Sequence, residues 1–138
     1  MRTAIALCLL AVAMGGCGGG ATDSSKDFDG EERAVARTVE DLEEAGRDGA
    51  EDDICTTLFS ETLLAALKKQ GTNCTTAVKE ALEDTDAFDL KVEDVSVSGT
   101  TATAKVRSGR SGSDQKDDTI TLERQGSTWR IVSGVGGS

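Results

Sequence analysis

The residue types in this 138-residue chain decide which chemistry it can perform. It contains four cysteines but no histidine and no tyrosine. A Ser-His-Asp triad, a Cys-His dyad and a histidine metal site are therefore excluded, because each requires an imidazole. Carboxylates remain as candidate general bases, among them Asp86, Asp89 and Asp94. A carboxylate near a turn is usually solvated and ionised, so we predict no catalytic residue and no bound metal.

The charge balance excludes one class of partner. The net charge is −10, whereas a nucleic-acid-binding surface needs clustered lysine and arginine. Arg107, Arg110 and Lys116 are the basic residues of a polar stretch at 107–118. They are either an ordinary solvated surface or a contact for an anionic partner at the cell surface, and the sequence favours the first interpretation.

The first 16 residues have the pattern of an export signal. Arg2 gives a positive start, residues 3–14 are uncharged and mostly apolar, and two glycines follow. Twelve helical residues span about 18 Å, which is short of the roughly 30 Å hydrocarbon core of a membrane. We therefore expect a secretory signal peptide at 1–16 rather than an uncleaved membrane anchor.

Met14-Gly15-Gly16-Cys17 resembles the bacterial lipobox. The resemblance implies a diacylglyceryl group on the Cys17 thiol, cleavage just before it, and attachment to the outer face of the cell membrane. Two acyl chains give stable anchoring where one does not. Ordinary signal cleavage that leaves Cys17 free is the alternative. Residues 17–30 are rich in glycine, serine and aspartate, which predicts a flexible tether.

Cys55 and Cys74 are the two cysteines of the predicted mature domain. An even pair in an exported chain predicts a disulfide, which would remove about 3 kcal/mol of unfolded-chain entropy. A zinc site would be incomplete with two thiols and no histidine. A redox pair would more often have the C-x-x-C spacing. The pair is therefore interpreted as a structural disulfide, and no cofactor is predicted.

The first half of the domain has helical periodicity, with apolar residues three or four positions apart. Asp29, Ser60 and either Thr72 or Asn73 are in position to cap helices. The predicted helical segments cover residues 31–45, 54–59, 61–70 and 74–82.

The second half has the period of two that is typical of strands, and four are predicted between residues 90 and 132. The step from Val92 to Val95 breaks the alternation and predicts a β-bulge at Glu93-Asp94. Helices followed by two hairpins indicate an α+β fold, in which the N-terminal helices pack on a curved antiparallel sheet. Residues 31–134 form this domain, and 135–138 a short tail.

Three features resemble the small NTF2-like domains of exported bacterial proteins. They are the element order, the paired cysteines of the short helices, and the closing motif Trp129-Arg130-Ile131. The resemblance implies a cone-shaped domain, and a cystatin-like arrangement is the main competitor. Trp129 is more often core than pocket lining at such a position, but it remains a possible pocket residue.

We therefore expect a membrane-anchored, extracytoplasmic lipoprotein that binds an unidentified protein or small molecule and does not catalyse a reaction. The alternative is an NTF2-like enzyme with a divergent pocket built on carboxylates. Two carboxylates that converge in a deep pocket would favour the enzyme. A cone filled with apolar side chains would favour the binding module.

Overall fold

The computed structural model describes residues 23–83, 89–109 and 115–134. A 3-10 turn at Ser25–Asp27 precedes the first helix. The helices are α1 (Gly30–Asp48), α2 (Glu51–Asp53), a π-helical segment (Ile54–Leu58), α3 (Glu61–Lys69) and α4 (Cys74–Glu83). The strands are β1 (Leu90–Ser98), β2 (Thr101–Ser108), β3 (Lys116–Gln125) and β4 (Thr128–Ser133). None of the helices in these ranges has the length and apolar character needed to cross a membrane, and the predicted signal segment lies outside them.

The four strands form one antiparallel sheet in the order β1-β2-β3-β4. Val92 pairs with Val106 and Asp94 with Lys105, so Glu93 is the extra residue of a bulge. The predicted bulge is confirmed. The loop between β2 and β3 is shorter than the polar composition of 107–118 suggests, because Arg107 and Asp117 pair within the ladder.

Helix α1 packs against one face of this sheet, which confirms the α+β fold. Val35, Val39 and Leu42 recur at helical spacing and are at most 1% exposed. Gly49 ends the helix with φ 64°, a left-handed conformation that glycine adopts without steric cost. The buried residues that the sheet contributes to the core are Leu90, Val92, Val95, Ala102, Ala104, Val106, Ile120, Leu122, Trp129 and Ile131.

The shorter helices are fixed by capping side chains. The Ser60 hydroxyl accepts a hydrogen bond from the Leu63 amide (3.1 Å), and the Asn73 side chain accepts one from the Thr76 amide (2.8 Å). Ser60 is completely buried, and its own amide donates to the Ile131 carbonyl (2.9 Å). The start of α3 is thereby attached to the edge strand β4.

Part of the segment before α1 also belongs to the packed structure. Ser24 and Ser25 are at most 5% exposed. The Ser25 amide donates to the Glu40 carboxylate (2.6 Å), and the Ser24 hydroxyl accepts from the Val92 amide on β1 (3.2 Å). The composition of residues 17–30 predicts a flexible tether, whereas Ser24 and Ser25 within this range are held against α1 and β1.

Candidate functional site

The helices and the end of β4 enclose an apolar pocket of about 100 Å³. Leu42 of α1, Ile54 and Phe59 form part of its inner wall, and each is at most 5% exposed. The outer walls come from α3 and α4. The described lining residues are Leu42, Ile54, Phe59, Leu63, Leu67, Ala77, Val78, Ala81, Leu82 and Gly134.

The sequence of α3 and α4 explains why space remains between them. Leu63 and Leu67 lie one helical turn apart on α3, and Ala77 and Ala81 lie one turn apart on α4. Alanine reaches only one carbon from the backbone, so the α4 face does not fill the volume that the leucines leave. Leu63, Leu67 and Ala77 are half-buried and Ala81 is exposed, so the pocket reaches the surface between the two helices.

A pair of cysteines and a glycine hold the pocket walls in place. Cys55 and Cys74 lie at disulfide distance with their Cα atoms 5.9 Å apart, which links the π-helical segment to the first residue of α4. Gly134 has φ 100°, and a Cβ atom there would overlap the Thr119 carbonyl of β3. Glycine therefore lets the end of β4 lie close against the sheet.

The candidate general bases do not meet in this pocket. Asp89 forms an ion pair with Arg47 of α1. Asp94 is exposed beside the β1 bulge. Asp86 lies outside the described residues. The described lining contains no side chain that can exchange a proton or donate a hydrogen bond, so it can hold an apolar group but cannot itself provide acid–base catalysis.

One carboxylate is completely buried elsewhere. Glu43 of α1 is 0% exposed, and its Oε1 atom lies 2.6 Å from an Arg47 guanidinium nitrogen. Arg47 also pairs with Asp89, so it joins α1 to the residue that precedes β1. A buried carboxylate is tolerated when a cation and hydrogen bonds compensate it. Arg47 therefore pairs both with the buried Glu43 and with Asp89, and the two ion pairs together attach α1 to the start of β1.

Trp129 lies away from the apolar pocket, beside an open groove of about 730 Å³ that runs along α1. The indole is only 4% exposed. Its N–H donates to the Glu31 carboxylate (2.8 Å), and the Arg124 guanidinium lies 5.2 Å from the ring centroid. Trp129 is thus buried in the core, and its edge contributes to the groove.

The contacts from Arg124 and Trp129 change the acid–base equilibrium of the Glu31 carboxyl group. Hydrogen bonds from Arg124 and then Trp129 lower the pKa of Glu31 below its usual 4.5. A carboxyl with a lowered pKa in the folded state stabilises the fold above about pH 4.5. That contribution is lost as the pH falls through the lowered value.

We expect Glu31→Gln to flatten the acid side of the stability profile. Thermal unfolding measured between about pH 5 and pH 3 should depend less on pH in this variant than in the unmodified protein, because the group that loses its favourable contacts on protonation is gone. Glu32→Gln removes the same charge from the same helical turn without removing the contact to Trp129. Equal pH dependence in both variants would contradict the assignment.

Charged side chains also occur in the groove and in the basic stretch 107–118, of which Arg110 lies outside the described residues. Burial raises the pKa of Asp41 in the groove, and the neighbouring Glu44 and Glu40 raise it further. In the basic stretch, Arg107 pairs with Glu93 (3.2 Å) and Asp117 (3.1 Å). The hydrogen bond that Arg107 donates to Asp117, then the charges of Glu93 and Asp117, raise the pKa of Arg107. Arg107 is therefore already partnered within the sheet, which weakens the interpretation of this stretch as an anion contact.

No group of three or more metal-ligating side chains lies together within residues 23–83, 89–109 and 115–134.

The sequence analysis does not predict the apolar pocket. The periodicity of α3 and α4 predicts an apolar face on each helix, and a tightly packed helix pair without a pocket would show the same pattern. The sequence feature that could have indicated a pocket is the pair of alanines on α4, which lies opposite the leucines of α3.

Comparison with known proteins gives one match. The family model described as "Putative lumazine-binding" matches residues 72–135, which include α4 and the four strands. No curated protein and no solved structure matches the chain. Over less than half of its length, including the pocket residues of α4, the chain is therefore similar to this family.

Proposed function

We propose that the chain is a lipid-anchored, extracytoplasmic binding module that holds a small ligand in the apolar pocket and catalyses no reaction. The observation that carries the proposal is the pocket lining, whose described residues are all apolar or glycine. Specific binding sites are typically concave and mostly apolar. The name of the matching family also supports a small-molecule ligand.

Binding of a short apolar probe tests the pocket. We would titrate n-butanol into the 15N-labelled chain of residues 17–138 carrying Cys17→Ser, which lacks both the proposed signal peptide and the proposed lipid. Amide shifts should concentrate on α3, α4 and the residues around Leu42. In Ala77→Leu, the larger side chain occupies the pocket and these shifts should disappear.

Ala66→Leu is the matched control, because Ala66 is an exposed residue of α3 that does not line the pocket. It adds the same three carbons to a neighbouring helix. Shifts that persist equally in both variants, or that spread evenly over the surface, would mean that the pocket does not bind small molecules.

The non-catalytic part of the proposal is tested with carbonyl substrates. An enolate that develops during isomerisation needs a positioned acid and a base near the reacting carbon. The chain has no tyrosine, and the described pocket lining contributes neither group. We expect no isomerase or dehydratase turnover with steroid-like ketones. Turnover that is lost in Asp89→Asn or Asp94→Asn would establish the enzyme alternative instead.

The anchor is tested at Cys17. If the lipobox-like sequence is functional, Cys17→Ser should abolish incorporation of a radiolabelled fatty acid, and with it the lipid-dependent attachment to the membrane, because the serine hydroxyl cannot form the thioether. Cys8→Ser, which changes a cysteine within the apolar signal segment, should keep the label. Equal labelling of the Cys17→Ser and unmodified chains would exclude this cysteine as the lipid site.

A further inference from the structure

We propose that the pocket takes the terminal carbons of an aliphatic chain, and that it does not take the heterocycle that the name of the matching family implies. This inference rests on the proposed ligand-binding function and specifies the chemical class of the ligand. Three properties of the pocket lead to it: the chemistry of its lining, its size and the location of its opening.

The described lining offers a polar ring no side-chain hydrogen-bond partner. Its described side chains are leucine, isoleucine, valine, phenylalanine and alanine. A lumazine is a fused bicyclic ring with carbonyl groups and an N–H group, each of which is hydrogen-bonded in water. Each polar group buried without a partner lowers affinity by roughly 5- to 150-fold. A methyl or methylene group loses nothing on entering the same site and gains from leaving water.

The size of the pocket leads to the same ligand class. A dry protein cavity of about 150 Å³ can hold benzene, which has six carbons. At about 100 Å³, this pocket has two thirds of that volume and accommodates about four carbons. A fused bicyclic ring is larger than benzene and does not fit, whereas the end of a linear chain does.

The opening of the pocket explains how a longer molecule could use it. The deep wall contains Leu42 and Ile54, each 1% exposed. The outer walls contain the half-buried Leu67 and Leu82 and the exposed Ala81. A chain can therefore enter with its methyl end first, while a polar head group remains in water outside α3 and α4.

A chain-length series tests the inference. Dissociation constants for n-alkanols from ethanol to n-hexanol would be measured by NMR titration of the chain of residues 17–138 carrying Cys17→Ser. We expect affinity to rise about fourfold for each added methylene until about four carbons are inside, and to rise less steeply beyond that point. Ala77→Leu should weaken n-butanol binding at least tenfold, and Ala66→Leu should leave it unchanged.

The outcomes separate this inference from the proposed function. Binding of n-butanol with no dependence on chain length would overturn the aliphatic assignment while leaving a ligand-binding pocket. Lumazine that binds more tightly than n-butanol, and that is displaced by it, would also overturn the assignment. Failure of every probe to bind would refute the proposed function itself. If Ala77→Leu does not fold, Ala81→Leu provides the same test from the next turn of α4.

Discussion

Removing the Cys55–Cys74 bond is expected to lower the free energy of unfolding by roughly 2–5 kcal/mol. The two cysteines are 19 residues apart in sequence, and between them lie most of the π-helical segment and all of α3. Without the cross-link, the unfolded chain regains the conformational freedom of this loop. The pocket depends on the same bond, because the bond joins the π-helical segment, which carries Ile54, to α4, which carries Val78.

The measurement is urea unfolding of the double variant Cys55→Ser/Cys74→Ser beside the unmodified domain, each with and without a thiol reductant. The reductant should destabilise the unmodified domain and leave the double variant unchanged. The intact mass without reductant should be lower than the reduced mass by two hydrogens. Alkylation of both thiols in the unreduced protein would show that the bond is not formed.

The strands could be predicted from the sequence because sheet patterning is local. One face of each strand meets the core, so apolar residues alternate, and the bulge at Glu93 appears as a break in that alternation. The cap at Ser60, and Asn73 as one of two alternatives, were also predictable, because a capping side chain bonds to an amide only three residues away. The predicted cap at Asp29 is wrong, because its carboxylate makes no capping bond and pairs with Arg33 (3.2 Å).

Contacts between distant parts of the chain could not be predicted in this way. The hydrogen bond from Trp129 to Glu31 joins residues 98 positions apart, and Ser24 meets β1 68 positions further along. The composition around Ser24 indicates only that the segment is polar. Whether such a segment packs depends on a partner that the neighbouring sequence does not contain.

The pocket could not be predicted for the same reason, because it depends on contacts between distant segments of the chain. The periodicity of α3 and α4 predicts that each helix has an apolar face. It gives no information about the distance between the two faces. That distance is set by the attachment of Ser60 to β4 and by the Cys55–Cys74 pair. Small side chains at Ala77 and Ala81 then leave open the volume that larger residues would fill.

Leu42→Ala is expected to lower the free energy of unfolding by about 2–5 kcal/mol. Leu42 is 1% exposed and lies both in the core beneath α1 and in the wall of the pocket. Truncation removes three buried carbons and leaves a cavity continuous with the existing pocket. Leu64→Ala on α3 is the control, because Leu64 is half-buried, packs at the edge of the core and does not line the pocket. The decrease in the free energy of unfolding should be clearly smaller for Leu64→Ala than for Leu42→Ala.

The enlarged pocket provides a second measurement on the same variant. A ligand that binds only the folded state stabilises it by about 2.7 kcal/mol at a concentration of 100 times its dissociation constant. If Leu42 separates the pocket from the core, n-hexanol should restore more stability to Leu42→Ala than to the unmodified domain, since more of the chain can then be buried. Leu64→Ala should gain no such advantage. Equal stabilisation of all three proteins by n-hexanol would place its binding site away from Leu42 and would contradict the pocket assignment.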